Sequence, residues 1–129
     1  MDPISDMLIK IKNGSLAKKE SVVTPHSKLK FSVASALLKA GFISGVSRKT
    51  KKSKPMLEIL IAYDKEGTPK VHDIKRISKP GLRIYVKRKK VPSVLRGRGL
   101  AIISTSKGII TDQEAKKNGS GGEIMGYIW

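Results

Sequence analysis

A short apolar run, Leu100–Ile103, is followed at once by a polar segment with three hydroxyls and one ammonium group. The segment consists of Ser104, Thr105, Ser106, Lys107 and Gly108. Short apolar runs rich in β-branched residues are typical of buried strands. Thr111 and Glu114 then have the spacing of a capping box, which marks the start of a helix. The stretch therefore predicts a buried strand, a polar loop, an apolar step and a short helix ending at Gly119.

The polar loop has two interpretations. Its hydroxyls and free N–H groups are suited to contact phosphate or sugar oxygens of a nucleic acid. Ser and Thr are also common in turns, because their side chains bond the local backbone. The charge upstream favours the first interpretation: residues 70–98 contain 11 of the 27 Lys and Arg residues but one of the ten acidic residues. A net charge of +17 indicates a polyanionic partner.

Several function classes are not expected. The chain has no cysteine and two histidines, which argues against a disulfide framework and against a metal site. No apolar run approaches the roughly 20 residues that cross a bilayer, and the acidic start is unlike a signal peptide, so we expect a cytoplasmic protein. Neither a complete G-x-G-x-x-G nor a G-x-S-x-G motif is present, and no pair of carboxylates has catalytic spacing. We expect no enzyme, no cofactor and no small-molecule substrate.

The pattern divides the chain into two small α+β domains. Residues 64–70 combine Gly, Pro and mixed charge without periodicity, which is typical of a boundary. Residues 1–66 predict a first domain in the order helix, strand, helix, strand, strand. Residues 67–129 predict a second domain that is mostly β with one short helix and carries the polar loop.

The sequence of the first domain predicts two helices, each with apolar residues repeated at helical spacing. One helix starts at Asp2-Pro3 and ends or frays at Asn13-Gly14. A second helix is capped by Ser27, with Leu29, Val33, Ala36, Leu37 and Ala40 as its core stripe and Phe31, Ala34 and Leu38 widening it. Lys28 and Lys30 lie in the first turn of this helix, where the macrodipole disfavours cations, so they either face an anion or are solvated.

The two following strands, Ile43–Lys49 and Met56–Tyr63, enclose a very basic tip. Residues 48–54 contain five cations, Lys54 among them, and no apolar side chain. Such a tip has nothing apolar to pack with, so it is either solvated or reaches a phosphate.

The second domain is predicted to be built from strands. Val71–Ile77 is followed by a Pro80-Gly81 turn and by Leu82–Val86. In the latter, Leu82, Ile84 and Val86 face inward while Arg83 and Tyr85 face outward. Residues 92–95 predict a single turn, and 123–129 a final strand with Trp129 as a core anchor.

Tyr85 and Glu123, two residues expected near the loop, are candidates for a part in nucleic-acid binding. Tyr85, flanked by the cations Arg83, Lys87 and Arg88, either stacks on a base or contacts a nucleic-acid backbone, or else packs on the adjacent strand. Glu123 follows Gly121 and Gly122, and we expect its carboxylate to accept hydrogen bonds from neighbouring Ser or Thr hydroxyls or from amides, and so to orient the loop of Ser104 to Ser106.

Several separated motifs make the chain resemble the bacterial small-ribosomal-subunit protein eight family along nearly its whole length. They are Asp2-Pro3-Ile4-x-Asp6-Met7-Leu8, Pro25-x-Ser27-Lys28, Ser78-Lys79-Pro80-Gly81, Gly99-x-x-Ile102-Ile103-Ser104-Thr105-x-x-Gly108-Ile109-Ile110-x-x-x-x-Ala115 and Gly121-Gly122-Glu123-Ile124. The resemblance implies two α+β domains and a structural protein of the small subunit. It also implies binding to the central domain of small-subunit rRNA, assembly of the platform and contacts to neighbouring ribosomal proteins. The messenger RNA of the protein's own operon is a further implied candidate.

The resemblance also implies which residues contact RNA. It places the main contact on Ser104, Thr105, Ser106 and Lys107, the surrounding surface on Tyr85, Gly121, Gly122 and Glu123, and a secondary contact on Lys28, Lys30 and Lys54. Two other functions compete with this one. A general DNA-binding protein would bind any duplex without needing the loop, and a nucleic-acid enzyme would need Mg²⁺ and the carboxylates of Asp73 or Glu123.

Overall fold

The computed structural model describes residues 3–79, 81–87, 91, 94 and 98–129, and it confirms a two-domain α+β fold. The chain forms two compact units, Pro3–His72 and Asp73–Trp129. None of the helices in these described ranges is long and apolar enough to cross a membrane.

The first unit has the predicted order of elements. They are α1 (Pro3–Leu16), β1 (Ser21–Pro25), α2 (Lys28–Lys39), β2 (Ile43–Lys51) and β3 (Lys54–Ile61). The strands form an antiparallel sheet in the order β1-β3-β2. Alternate residues of β3, Leu57, Ile59 and Ile61, are buried together with the apolar stripes of both helices. The alternation of the sequence therefore identified the inner face of this strand.

The prediction that α1 ends at Asn13-Gly14 is wrong. The helix continues to Leu16, and Gly14 lies buried inside it. A Cβ atom at Gly14 would lie 2.6 Å from Cγ1 of Val22, so the missing side chain lets β1 pass close to the helix. The predicted Asp2 cap lies outside the described residues.

The predicted core stripe of α2 is partly wrong. Val33, Ala34, Ala36 and Leu37 are buried as expected, but Leu29, Phe31, Leu38 and Ala40 are exposed. A single sheet covers only one side of this helix, so apolar residues at the edges of the stripe stay in contact with solvent. The residue that completes the buried side is Lys30.

The first unit extends beyond the predicted boundary at residue 66. The backbone N–H of Lys70 bonds Ala62, and Tyr63 forms an isolated bridge with Pro69. Between them, the Asp64 carboxylate accepts the N–H groups of Glu66 and Thr68, and the bond from Thr68 is the main cause that lowers the pKa of Asp64. These bonds fold residues 62–70 into a loop that is closed just beyond the end of β3. The two units therefore divide between His72 and Asp73.

The second unit contains one strand more than was predicted. Its elements are β4 (Ile74–Arg76), β5 (Tyr85–Val86), β6 (Leu100–Thr105), β7 (Gly108–Thr111), α3 (Asp112–Asn118) and β8 (Gly122–Ile128). The sheet order is β4-β8-β6-β7, with β5 also paired to β8. The apolar step expected before α3 is the strand β7, because it folds back on β6 as a hairpin. The capping box of Thr111 and Glu114 is confirmed.

The predicted strands Val71–Ile77 and Leu82–Val86 are shorter than expected. Only Ile74–Arg76 and Tyr85–Val86 are strands. Leu82 is 62% exposed instead of buried, because it closes a small turn through two backbone bonds with Lys79. Trp129 packs half-buried against the core formed by Val91, Val94, Ala101, Ile103, Ala115 and Ile124. The turn predicted at residues 92–95 and Pro80 of the Pro-Gly turn fall outside the described residues.

Candidate nucleic-acid interface

The predicted contact loop is the tight turn of the β6–β7 hairpin. Thr105 pairs with Gly108, and the Thr105 hydroxyl donates to the Gly108 carbonyl oxygen at 2.8 Å and accepts the Lys107 N–H at 3.1 Å. Gly108 has φ +125°, a conformation that L side chains rarely adopt. Thr105 therefore fixes the turn, while Ser106 and Lys107 are exposed at its tip.

Buried groups hold the base of this hairpin. Ile102 and Ile103 are fully buried on β6. Asp112, the first residue of α3, is buried as well, and its carboxylate accepts the N–H of Ala101 at 3.0 Å. Sequence reasoning missed this contact, although Asp112 stands inside the recognised capping box. The bond joins the start of the helix to the strand that carries the turn.

The glycines before Glu123 allow β8 to pass close to the hairpin. Ser104 on β6 pairs with Glu123 on β8. A Cβ atom at Gly122 would lie 2.2 Å from the carbonyl oxygen of Ser104, which is far closer than non-bonded atoms approach. Glycine is therefore required at position 122 for this pairing, and Gly121 lies next to it in the chain.

A row of three side chains crosses the sheet beside the turn. Glu123 pairs with Ser104 on one side and with Tyr85 of β5 on the other. Directly paired residues of neighbouring strands point to the same face of a sheet. Ser104, Glu123 and Tyr85 therefore lie side by side on one face, and Tyr85 is 68% exposed. The structure thus brings together residues that are far apart in sequence.

The carboxylate of Glu123 has a different partner from the one expected. It accepts from Nη1 of Arg83 at 3.1 Å and forms an ion pair with it. The expected bonds from loop hydroxyls to this carboxylate are absent within the described ranges. The pair leaves the Arg83 side chain half exposed, at 50%, beside Tyr85.

Ser78 is a positioning residue that sequence reasoning missed. Its buried hydroxyl accepts the N–H of Ile84 at 2.8 Å and donates to the Ile84 carbonyl oxygen at 3.2 Å. These bonds hold the segment between Arg83 and Tyr85 against the sheet. Ser78 belongs to one of the motifs quoted above, and its place before a Pro-Gly turn was the available signal.

The remaining candidate cations are distributed over both units. Lys87 in the second unit and Lys28 and Lys54 in the first are exposed. Arg88 lies outside the described residues. Lys28 and Lys54 are the first residues of α2 and β3.

Lys30 matches neither predicted alternative, a lysine that faces an anion or a lysine that is solvated. It is 7% exposed, and its ammonium group donates to the Pro25 carbonyl oxygen at 3.1 Å and to the Thr24 hydroxyl at 3.4 Å. Burial, followed by the charge of Lys10, lowers the pKa of Lys30. Lys30 lies on the inner side of α2, and its two hydrogen bonds connect this helix to β1.

Comparisons with known proteins agree with the motifs quoted above. The family model described as "Ribosomal protein S8" matches residues 2–129. Small ribosomal subunit protein uS8 of Caldanaerobacter subterraneus subsp. tengcongensis is 48% identical over 128 residues, covering 99% of this chain and 97% of the relative. The uS8 protein of Alkaliphilus oremlandii is 47% identical with the same coverage, and that of Bordetella pertussis is 46% identical over 98% of this chain and 96% of its own. The chain therefore belongs to the ribosomal protein S8 family.

Proposed function

We propose that this protein is a structural constituent of the small ribosomal subunit that binds small-subunit rRNA. Its family consists of ribosomal proteins and not of enzymes. The row of Ser104, Glu123 and Tyr85 beside the exposed turn carries the proposal, because it places a serine hydroxyl and an exposed aromatic ring on one sheet face, with the half-exposed cation of Arg83 bound to Glu123. No bond is made or broken in this function.

The residues of this surface have distinct tasks in the proposed complex. Arg83, Lys87 and Lys107 supply sequence-independent attraction to phosphates, and Arg88, which lies outside the described residues, is a further candidate by its charge alone. Ser106 and the row residue Ser104 offer hydroxyls to 2′-OH groups and phosphates, and Tyr85 offers a ring for stacking. Gly121 lacks a side chain, so the RNA backbone approaches the sheet closely there, while the space beside Gly122 is taken by the Ser104 carbonyl group. The Glu123 carboxylate holds Arg83 in place.

The geometry favours recognition of an irregular RNA helix from its minor-groove side. The deep, narrow major groove of A-form RNA excludes side chains, while the shallow minor groove displays 2′-hydroxyls. A small hydroxyl-bearing turn such as Thr105–Gly108 suits that surface. Within the first unit, the exposed Lys28 and Lys54 add a secondary phosphate contact to the proposal.

The finer identity of the partner is also proposed. We assign the central domain of small-subunit rRNA as the primary target, with a task in assembling the platform beside neighbouring ribosomal proteins. The messenger RNA of the protein's own operon is a second candidate, because an RNA fold that imitates the rRNA site would engage the same row.

A competition assay tests the function. Labelled central-domain rRNA is bound at fixed salt and challenged with bulk DNA, an unrelated RNA hairpin and the unlabelled central domain. We expect only the last to displace the label at stoichiometric concentration. Displacement by bulk DNA at equal phosphate concentration would instead identify a general DNA-binding protein.

A further inference from the structure

The β2–β3 hairpin ends in a two-stranded tip. β1 pairs with β3 only as far as Pro25 and Met56, and one further bond runs from the His26 N–H to the Pro55 carbonyl oxygen. The last pair of the hairpin, Lys51 with Lys54, therefore has no third strand beside it among the described residues. The tip closes through Lys52 and Ser53, whose φ angles are +51° and +63°.

The cations of the tip are arranged by the strand register. Lys49 and Lys51 are alternate residues of β2, so their side chains lie on the same face of the hairpin. Lys54 lies on that face as well, because it pairs directly with Lys51. Lys49 forms an ion pair with Glu58 at 2.7 Å. No ion pair or hydrogen bond engages the ammonium groups of Lys51, Lys52 and Lys54 in the part of the chain that the structure describes.

This arrangement is unfavourable for the isolated protein. Like charges directly opposite each other on paired strands repel, as Lys51 and Lys54 do. Positive φ at a residue other than glycine costs about 1–2 kcal/mol, and the tip has two such residues in succession. A bound polyanion removes the first of these penalties. The concentrated charge is therefore explained by a partner that carries regularly spaced negative groups.

The composition of the tip selects among such partners. Residues 48–54 contain no apolar or aromatic side chain. Protein–protein interfaces are enriched in aromatic residues and depleted of lysine, so an acidic protein surface is a poor match. Lys51 and Lys54 lie directly opposite each other on paired strands, about 4.5–5.5 Å apart between Cα atoms, and their long flexible side chains can each reach a separate phosphate. The register thus fits a phosphate backbone.

We propose that the tip at residues 48–54 is a second, sequence-independent binding element that tracks the phosphate backbone of the RNA. The inference rests on the proposed function and adds Lys51 and Lys52 to the secondary contact at Lys54. Lys49, held by Glu58, marks the inner end of the element. The tip contributes charge and no base recognition, whereas the turn at Thr105–Gly108 contributes recognition.

The test is the salt dependence of RNA binding by the full chain. The variant K51Q/K52Q is compared with K65Q/K70Q, which removes the same charge from exposed positions of the same unit. Each lost phosphate contact lowers the slope of log K against log salt by about 0.7–0.9. We expect a slope lower by about 1.4–1.8 for the tip variant, so that its defect shrinks by about tenfold between ~50 and ~200 mM salt. The control variant should retain the wild-type slope.

Two further readouts keep the outcome clear. The tip variant relieves the repulsion of Lys51 and Lys54, so its thermal midpoint should not fall below that of the wild type. Hydroxyl-radical footprinting of the rRNA fragment should show protections lost from one backbone segment with the tip variant and retained with K65Q/K70Q. A wild-type slope and an unchanged footprint in K51Q/K52Q would overturn the inference.

The same series separates this inference from the function on which it rests. If Ser106→Ala weakens binding while the tip variant behaves as the wild type, only the inference on the tip is wrong. If bulk DNA displaces the rRNA and Ser106→Ala has no effect, the proposed function itself is wrong.

Discussion

Two neighbouring hydroxyls at the hairpin turn have different tasks. Thr105 spends its hydroxyl on two bonds within the turn, whereas the exposed Ser106 hydroxyl makes no bond to another described residue. Ser106→Ala should therefore weaken RNA binding by about 1–3 kcal/mol, the cost of an unmatched polar group in the interface, and leave stability unchanged. The checks are a binding titration and a thermal melt of the free protein.

Thr105→Val is the matched comparison. It removes the bonds that shape the turn while keeping the size of the side chain, so we expect it to weaken RNA binding and lower the thermal midpoint together. If Ser106→Ala lowered the thermal midpoint while Thr105→Val did not, Ser106 rather than Thr105 would be the residue that shapes the turn, and the prediction would be wrong.

Gly122 should be sensitive to the smallest substitution. In Gly122→Ala the new methyl group would meet the Ser104 carbonyl oxygen at 2.2 Å, so β8 must move away from β6. We expect a loss of stability of about 1–3 kcal/mol, the range for overpacked sites. RNA affinity should fall as well, because the row of Ser104, Glu123 and Tyr85 depends on this pairing. Urea denaturation followed by titration measures both, and an unchanged stability would contradict the close approach.

Lys30 gives a pH dependence of stability. Its folded pKa is lowered from 10.5, first by burial and then by Lys10, with Asp6 acting in the opposite direction. The unfolded chain therefore binds more protons than the folded chain between the folded pKa and 10.5, so the free energy of unfolding due to Lys30 rises with pH there. Below that interval the cost of charging the buried group is fully present.

The measurement compares the wild type with Lys30→Met in urea at about pH 8 and about pH 10. The wild type should gain stability relative to the variant at the higher pH. Lys19→Met, at an exposed position, is the matched control for the loss of a lysine side chain. An equal difference at both pH values for Lys30→Met would contradict the lowered pKa.

At the level of residues, the sequence predicted where the polar turn lies, but it did not predict which groups the charged side chains of Glu123 and Lys30 bind. The run of hydroxyls and glycines identified the turn, because those residue types are needed there. The partner of Glu123 depends on Arg83 being brought alongside by strand pairing, which no local pattern contains. Lys30 was misjudged for a similar reason: a lysine on the edge of an apolar stripe has the same spacing whether its ammonium group is solvated or buried.

At the level of elements, periodicity predicted the order and type of most helices and strands. It failed where an element is defined by its neighbour. β7 was taken for an apolar step, because only its pairing with β6 makes it a strand. Gly14 was taken for a helix end, because glycine stops isolated helices, whereas here its small size serves the contact with Val22.

The tip of the β2–β3 hairpin predicts a stabilising substitution. Ser53 has φ +63°, where glycine is free of the steric cost that L residues incur. Ser53→Gly should raise the free energy of unfolding by about 0.5–1 kcal/mol, since the gain in the turn is partly offset by the entropy of glycine in the unfolded chain. Ser47→Gly, in the extended part of β2, should lower it by a similar amount. Chemical denaturation distinguishes these results, and destabilisation by Ser53→Gly would contradict the positive φ.

For the molecule as a whole, charge governs how tightly RNA is held. The chain carries a net charge of +17, and exposed cations are present in both units. If roughly five phosphates are contacted, affinity for rRNA should fall by about 10²–10³ between ~50 and ~200 mM salt. Filter binding over a salt series gives the slope directly. A slope near zero would mean that contacts other than phosphates dominate.

The central position of β8 in its sheet has a consequence for biosynthesis. β4, β5 and β6 all pair with β8, yet each precedes it in the chain. A nascent chain that ends before Gly122 contains β4, β5 and β6 but lacks β8, the strand with which all three pair. Ser104 and Tyr85 then have nothing between them, so an unfinished chain cannot bring together the row that we propose as the RNA contact.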